Sequence, residues 1–99
     1  MIPSASAPPE LLRVTDASVL GPVIRARRRA QSLRIDDAAS LSGVSVDLLS
    51  RLENCKGSVR LDKLLLVLDS LGLALVLGPK DHPAMESVAR HGVERAEQP

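Results

Sequence analysis

Apolar residues between positions 20 and 71 recur at intervals of three and four, a spacing that places them on one side of successive α-helices. The apolar side of a first predicted helix consists of Leu20, Val23, Ile24 and Leu33. Its start has two interpretations. Asp16 could cap a helix that tolerates Pro22 in its first turns, or Pro22 could itself be the first helical residue.

Three further helices are predicted. The second runs from about Ile35 to Leu41, and Gly43 then permits a tight turn because glycine accepts a positive φ. Ser45 is expected to cap the third helix, since its hydroxyl can accept from a backbone N–H two or three residues further on. The fourth helix is predicted from Leu61 to Leu71, with Gly72 as its stop. Its buried side is expected to consist of Leu61, Leu64, Leu65, Leu68 and Leu71.

The segment after the fourth helix is short and apolar on both faces, which is typical of a strand buried on both sides. A single strand leaves its backbone groups unpaired, so we expect the same strand of a second chain to pair with it antiparallel about a two-fold axis. In that arrangement Ala74 and Val76 are expected to pack on the fourth helix. The alternative is that the strand folds back on its own domain. The predicted dimer strand comprises Leu73, Ala74, Leu75, Val76 and Leu77.

A chain of 99 residues is long enough for one domain with a modest core. Because it contains no Phe, Tyr or Trp, that core has to be built from Leu, Val, Ile and Ala. The ends are rich in proline and polar residues. We therefore expect a flexible tail at 1–15, a folded domain at 16–78 and a second flexible tail at 79–99.

The net charge of +1 conceals an uneven distribution. Residues 1–60 carry nine basic and six acidic side chains, whereas residues 81–99 carry two basic and four acidic ones. An excess of basic residues in 1–60 suits a protein that binds phosphate groups. A solvated arginine-rich helix face would give the same charge distribution. The single cysteine and the absence of a leader pattern suggest a cytoplasmic protein. No apolar stretch approaches the roughly 20 residues that span a bilayer, so no membrane role is expected.

One set of residues between positions 18 and 72 has a specific combined spacing: Ile24-Arg25, Arg28, Ser32-Leu33, Ala38-Ala39, Gly43-Val44-Ser45 and Leu49-Ser50-Arg51-Leu52-Glu53-Asn54. This pattern resembles phage-repressor-like (XRE family) helix-turn-helix domains. The continuation through residues 65–77 is similar to HipB-type antitoxins, in which a strand follows the last helix and pairs across a dimer. The resemblance implies a mainly α, lambda-repressor-like fold of four to five helices with one C-terminal β-strand pairing across a dimer.

The same resemblance implies a function. A relative of this family would be a homodimeric, sequence-specific transcriptional repressor of a palindromic double-stranded DNA operator. As a HipB-like antitoxin it would repress its own operon and neutralise a HipA-type serine/threonine kinase toxin. Two alternatives stay open: a stand-alone XRE regulator, and an adaptor that keeps the fold without using DNA.

In such a domain, the residues after Ser45 form the recognition helix that enters the major groove. Contacts to base edges are then expected from Ser45, Val46, Asp47, Ser50 and Arg51. Contacts to phosphates are expected from Arg25, Arg29, Arg34, Lys56 and Arg60, with Arg27 as a further candidate. The resemblance also implies that Arg28 pairs with Glu53 and orients the recognition helix.

Two positions depart from the family pattern. Ile35 stands where Gln often begins the second helix, and Cys55 stands where Gly often follows the Glu-Asn pair. Cysteine tolerates a left-handed backbone poorly, so Gly57 is expected to take the strained position. A reactive-thiol role for Cys55 is a weaker alternative. We expect no catalysis and no cofactor. No metal site is expected either, because His82 and His91 are not spaced like metal ligands.

Overall fold

The computed structural model describes residues 11–85, which are mainly helical, as the apolar spacing predicts. A 3-10 turn at Ala17–Val19 precedes four α-helices: α1 at Leu20–Ala30, α2 at Ile35–Ser42, α3 at Val46–Glu53 and α4 at Leu61–Ser70. Most of the two predicted tails lies outside the described residues. None of the helices between residues 11 and 85 is long and apolar enough to cross a membrane.

The chain enters α1 through a turn capped by Asp16, whose carboxylate accepts hydrogen bonds from the backbone N–H and the hydroxyl of Ser18. Pro22 lies in the first turn of α1, where the missing N–H has no partner to lose. Asp16 therefore caps the 3-10 turn ahead of α1 and not α1 itself, and Pro22 is not the first helical residue, because α1 begins at Leu20.

The connection between α2 and α3 is a three-residue turn. Gly43 has φ 74° and ends α2, and the N–H of Val44 donates to the carbonyl of Ala39 at 3.0 Å. Ala38 and Ala39 are each about 1% exposed, so these small side chains lie where neighbouring helices approach closely. Because Ser45 then caps α3, the two helices are held at a fixed angle by local contacts.

The core contains no aromatic residue and is filled by aliphatic side chains from all four helices. Its buried members are Ile24, Ala38, Ala39, Leu49, Leu52, Val67, Leu68 and Leu71. The predicted buried side of α4 is wrong at two positions, because Leu61 is 62% exposed and Leu65 is 45% exposed. The inward stripe of α4 is instead Leu64, Val67, Leu68 and Leu71, which follows the i, i+3, i+4, i+7 spacing of one helix face.

The end of α4 is a Schellman motif. Gly72 has φ 77°, its N–H donates to Asp69, and the N–H of Leu73 donates to the carbonyl of Leu68 at 2.8 Å. This turn brings the Leu73 side chain back against the core, while Ala74 and Val76 are exposed. The expectation that Ala74 and Val76 pack on α4 is therefore wrong.

The segment at 73–79 has no regular secondary structure in the described single chain. Between positions 74 and 78, its backbone makes no hydrogen bond to any residue from 11 to 85. Its side chains become more exposed along the chain, from 46% at Leu75 to 98% at Leu77. We call residues 73–77 the apolar arm. Leu73 at its start packs against the core, and the residues after it are exposed.

Candidate nucleic-acid interface

The outward side of α3 presents a short mixed surface, which we call the recognition face: Ser45, Val46, Asp47, Ser50 and Arg51. Val46 is 44% exposed, and the side chains of Asp47 and Arg51 are 81% and 39% exposed. On the opposite side of α3, Leu49 and Leu52 are buried. The helix therefore shows polar donors and acceptors and one methyl-bearing side chain to solvent.

The N-terminus of α3 is capped by Ser45, whose hydroxyl accepts from the N–H of Leu48 at 3.0 Å. The carbonyl of Ser45 accepts from the N–H of Leu49. Asp47 in the first turn adds a carboxylate near the positive end of the helix dipole. The beginning of the recognition face is thus fixed by local bonding.

The C-terminus of α3 is fastened to α1 by a buried ion pair. Arg28 donates through Nε and Nη2 to the two carboxylate oxygens of Glu53, at 2.6 and 2.8 Å, and through Nη1 to the carbonyl of Leu33 at 3.0 Å. The Glu53 side chain is only 2% exposed. Hydrogen bonds to Glu53 raise the pKa of Arg28 above its ordinary value, against the effect of burial. Glu53 is therefore held by two bonds in a fork that fixes how α3 lies on α1.

Arg25 also binds the end of α3. Its Nε lies 3.4 Å from a Glu53 carboxylate oxygen, and its Nη2 donates to Oδ1 of Asn54 at 2.7 Å. This arginine was expected to meet phosphate, and the structure places it in the same cluster as the buried pair.

Gly21 makes a close contact with the end of α3 that the sequence analysis did not predict. A Cβ at this position would lie 2.5 Å from the carbonyl oxygen of Glu53 and 2.7 Å from the sulfur of Cys55. Only glycine permits α1 to approach the end of α3 this closely. The one signal in the sequence is a glycine next to Pro22 inside a helical pattern.

Arg27 ties α1 to the end of α4. Its Nε donates to the carbonyl of Leu71 at 2.7 Å, and the side chain of Gln31 donates to the same carbonyl at 3.0 Å. Arg27 was a candidate for a phosphate contact, but its observed bond is to the backbone. It satisfies a carbonyl at the end of α4, which helical bonding leaves without a partner.

The loop after α3 contains two residues in the left-handed region, Cys55 with φ 58° and Gly57 with φ 68°. The prediction was right that Gly57 takes a positive φ and wrong that Cys55 avoids one. The N–H of Cys55 donates to Leu52, and its sulfur lies 3.7 Å from the carbonyl of Ser18. Because these contacts hold both sides of Cys55, the loop keeps a conformation that cysteine rarely adopts alone.

Arg51 is held from two directions. Its Nε donates to Oδ2 of Asp47 at 3.0 Å, and its Nη1 donates to the carbonyl of Ser58 at 3.3 Å. Sequence reasoning named Asp47 and Arg51 as separate base contacts. Their i, i+4 spacing on one helix was the signal that could have linked them.

The remaining phosphate candidates lie on the surface. Arg34 and Arg60 are paired with the exposed carboxylates of Asp36 and Asp62, at 3.3 and 2.8 Å. Arg29 and Lys56 are exposed, and neither takes part in an ion pair within residues 11–85. Four of the predicted phosphate contacts, Arg29, Arg34, Lys56 and Arg60, therefore lie exposed at the surface, whereas Arg25 and Arg27 are bonded to other parts of the chain.

No three metal-ligating side chains cluster anywhere in the described range. His82 accepts a hydrogen bond from the backbone of Ala84 through Nδ1. His91 lies outside the described residues.

Together α2, the turn at Gly43 and α3, with an exposed polar face on the second helix, define a helix-turn-helix protein. Comparison with profiles of known protein families gives no match. The chain is similar to the uncharacterized HTH-type transcriptional regulator y4mF of Sinorhizobium fredii, with 32% identity over 68 residues, which are 68% of this chain and 90% of that protein. The protein belongs to the HTH-type transcriptional regulators.

Proposed function

We propose that this protein is a sequence-specific DNA-binding repressor that works as a homodimer on a palindromic operator. The observation that carries the proposal is the recognition face, which is exposed on a helix whose two ends are fixed by the Ser45 cap and the Arg28–Glu53 pair. A helix held in this way can enter the major groove with its N-terminal residues toward the bases. The protein acts by binding and requires no catalytic step or cofactor.

Four residues of the recognition face have chemistry suited to a base edge. Arg51 can donate to O6 and N7 of guanine, and Val46 can contact a thymine methyl group. The hydroxyls of Ser45 and Ser50 suit several polar edges. Affinity without sequence preference would come from the exposed basic side chains, among which Arg29 and Lys56 are the strongest candidates for phosphate contacts. Arg34 and Arg60 can join them by exchanging an exposed carboxylate for a phosphate, while Arg25 contributes mainly by bracing α3.

The dimer is proposed to form through the apolar arm, with Leu73–Leu77 pairing antiparallel with the same segment of a second chain. In support, residues 74–78 have free backbone groups within the described chain, and Leu75, Val76 and Leu77 are exposed. Leu65 and Leu66 on α4 are also about half exposed and could add apolar area. Such a dimer would place two recognition helices about 34 Å apart, one turn of DNA.

The resemblance of residues 65–77 to HipB-type antitoxins supports a narrower proposal: the protein neutralises a HipA-type kinase toxin in the cytoplasm. When the protein is co-expressed with a kinase encoded in the same operon, the two should co-purify as a complex. Co-expression should also restore the growth of cells that the kinase alone inhibits. If no such gene exists, or if the two proteins do not associate, the stand-alone regulator is favoured.

The DNA-binding proposal is tested by selecting bound sequences from a pool of random duplexes and measuring affinity by fluorescence anisotropy. We expect a palindromic consensus and a steep decrease in affinity with salt. Arg51→Ala should cost about 1–3 kcal/mol at one base pair of each half-site and relax discrimination there. A wild-type protein that selects no sequence would favour the adaptor without DNA binding.

A further inference from the structure

We propose that Asp47 and the backbone carbonyl of Ser58 are positioning groups for Arg51, and that Asp47 does not itself read a base. Together they would hold the guanidinium in the orientation that recognises guanine. This inference rests on the proposed DNA-binding function and assigns the source of its selectivity.

The geometry leaves the outer part of the Arg51 guanidinium available. Of its five N–H donors, the one on Nε is directed at Asp47 and one on Nη1 at Ser58. Within residues 11–85, the other donor on Nη1 and both donors on Nη2 have no acceptor. Two of these three can supply the paired hydrogen bonds that guanine O6 and N7 accept.

Holding the Arg51 side chain in its binding orientation before DNA binds favours that binding. A free arginine samples many rotamers, and ordering it on DNA costs entropy that an ordered one has already lost on folding. The Asp47 side chain is 81% exposed, and an ion pair so open to water contributes little to folding. The pair is therefore better suited to orienting Arg51 than to stabilising α3.

The loop after α3 brings the second positioning group into place. The N–H of Lys56 donates to the carbonyl of Arg51 at 2.9 Å, which turns the chain back along the helix. Gly57 then adopts φ 68°, and an ideal Cβ built on it would lie 3.6 Å from Nη1 of Arg51. The Ser58 carbonyl thus reaches the guanidinium through a turn that depends on a left-handed residue.

A double-mutant cycle distinguishes positioning from direct reading. Binding of wild type, Asp47→Ala, Arg51→Ala and the double variant is measured by anisotropy on the selected operator and on duplexes with each base pair replaced in turn. We expect Asp47→Ala to reduce discrimination about fivefold at the same base pair that Arg51→Ala affects. In the Arg51→Ala background, Asp47→Ala should cause no further change in base preference.

Asp62→Ala is the matched control, because it removes the same charge from another exposed ion pair, with Arg60 at the start of α4, and neither residue belongs to the recognition face. It should change affinity for all sequences alike and leave base preference intact. A new preference at a different base pair, persisting without Arg51, would show that Asp47 reads a base and overturn the inference. A wild type that binds no DNA would remove the proposed function as well, whereas selective binding with additive effects would overturn this inference alone.

Discussion

At the scale of single residues, Glu53 is a buried carboxylate on which two arginines converge. It is 2% exposed and accepts hydrogen bonds from Arg28 and Arg25. Glu53→Gln should destabilise the fold by about 3 kcal/mol or more, since it leaves the Arg28 guanidinium buried without a charged partner. Urea unfolding followed by circular dichroism measures the change.

Asp36→Asn provides the comparison for Glu53→Gln, because it removes one carboxylate charge from an ion pair with Arg34 that is exposed. Its cost should stay below about 1 kcal/mol. Equal losses in the two variants would mean that burial does not strengthen the dependence of Arg28 on Glu53.

The sequence predicts the role of a residue well when that role depends on one helix. It predicts less when the role depends on contacts between helices. The Ser45 cap needs only its own turn, so it could be foreseen. The close approach of Gly21 to Glu53 depends on how α1 lies against α3, and the contact of Arg27 with Leu71 joins α1 to the end of α4. Neither pair is close in sequence, so no local pattern indicates them.

At the scale of elements, Ser45 should decide much of the stability of the N-terminus of α3. Ser45→Ala removes the acceptor for the Leu48 N–H and should cost about 1 kcal/mol in the free energy of unfolding. Ser40→Ala is a suitable control, because Ser40 is exposed on α2 and its side chain has no hydrogen bond within the described chain. The cap hypothesis fails if both substitutions change stability equally.

The entry into α1 should respond to acid. Hydrogen bonds from the Ser18 hydroxyl and backbone N–H lower the pKa of Asp16 below its ordinary value of 3.8. The carboxylate therefore stabilises the turn above that value, and this contribution is lost as pH falls through the lower folded pKa. An NMR titration of the Asp16 carboxyl carbon should show a midpoint below 3.8, and Ser18→Ala should raise it. A midpoint unchanged by Ser18→Ala would show that the hydroxyl does not contribute.

Helix positions could be predicted from apolar spacing, but the choice of the buried face of α4 could not. Every residue from Leu64 to Leu68 is apolar, so several stripes fit the pattern. The structure selects the stripe that contains Val67, which is fully buried, and leaves Leu65 partly in water. The contacts with α2 decide which stripe is buried, and the sequence of one helix does not indicate them.

At the scale of the whole molecule, the excess of apolar surface on α4 and the arm beyond it is what the proposed dimer has to cover. Leu75 is 46% exposed in the single chain, so Leu75→Lys should be tolerated by the folded monomer. In the paired strands the same lysine would be buried next to its symmetry mate, which is strongly unfavourable. We therefore expect a folded monomer with severely weakened operator binding.

The measurement is light scattering at micromolar concentration, with circular dichroism to verify the fold and anisotropy to follow DNA binding. Leu41→Lys is the matched control, because Leu41 is 64% exposed on α2, outside both α4 and the arm. It should leave the dimer intact. A Leu75→Lys protein that is folded and still dimeric would place the interface elsewhere. Loss of the dimer together with loss of operator affinity would link the two half-sites to the pairing of the arms, because each monomer then meets only one half-site.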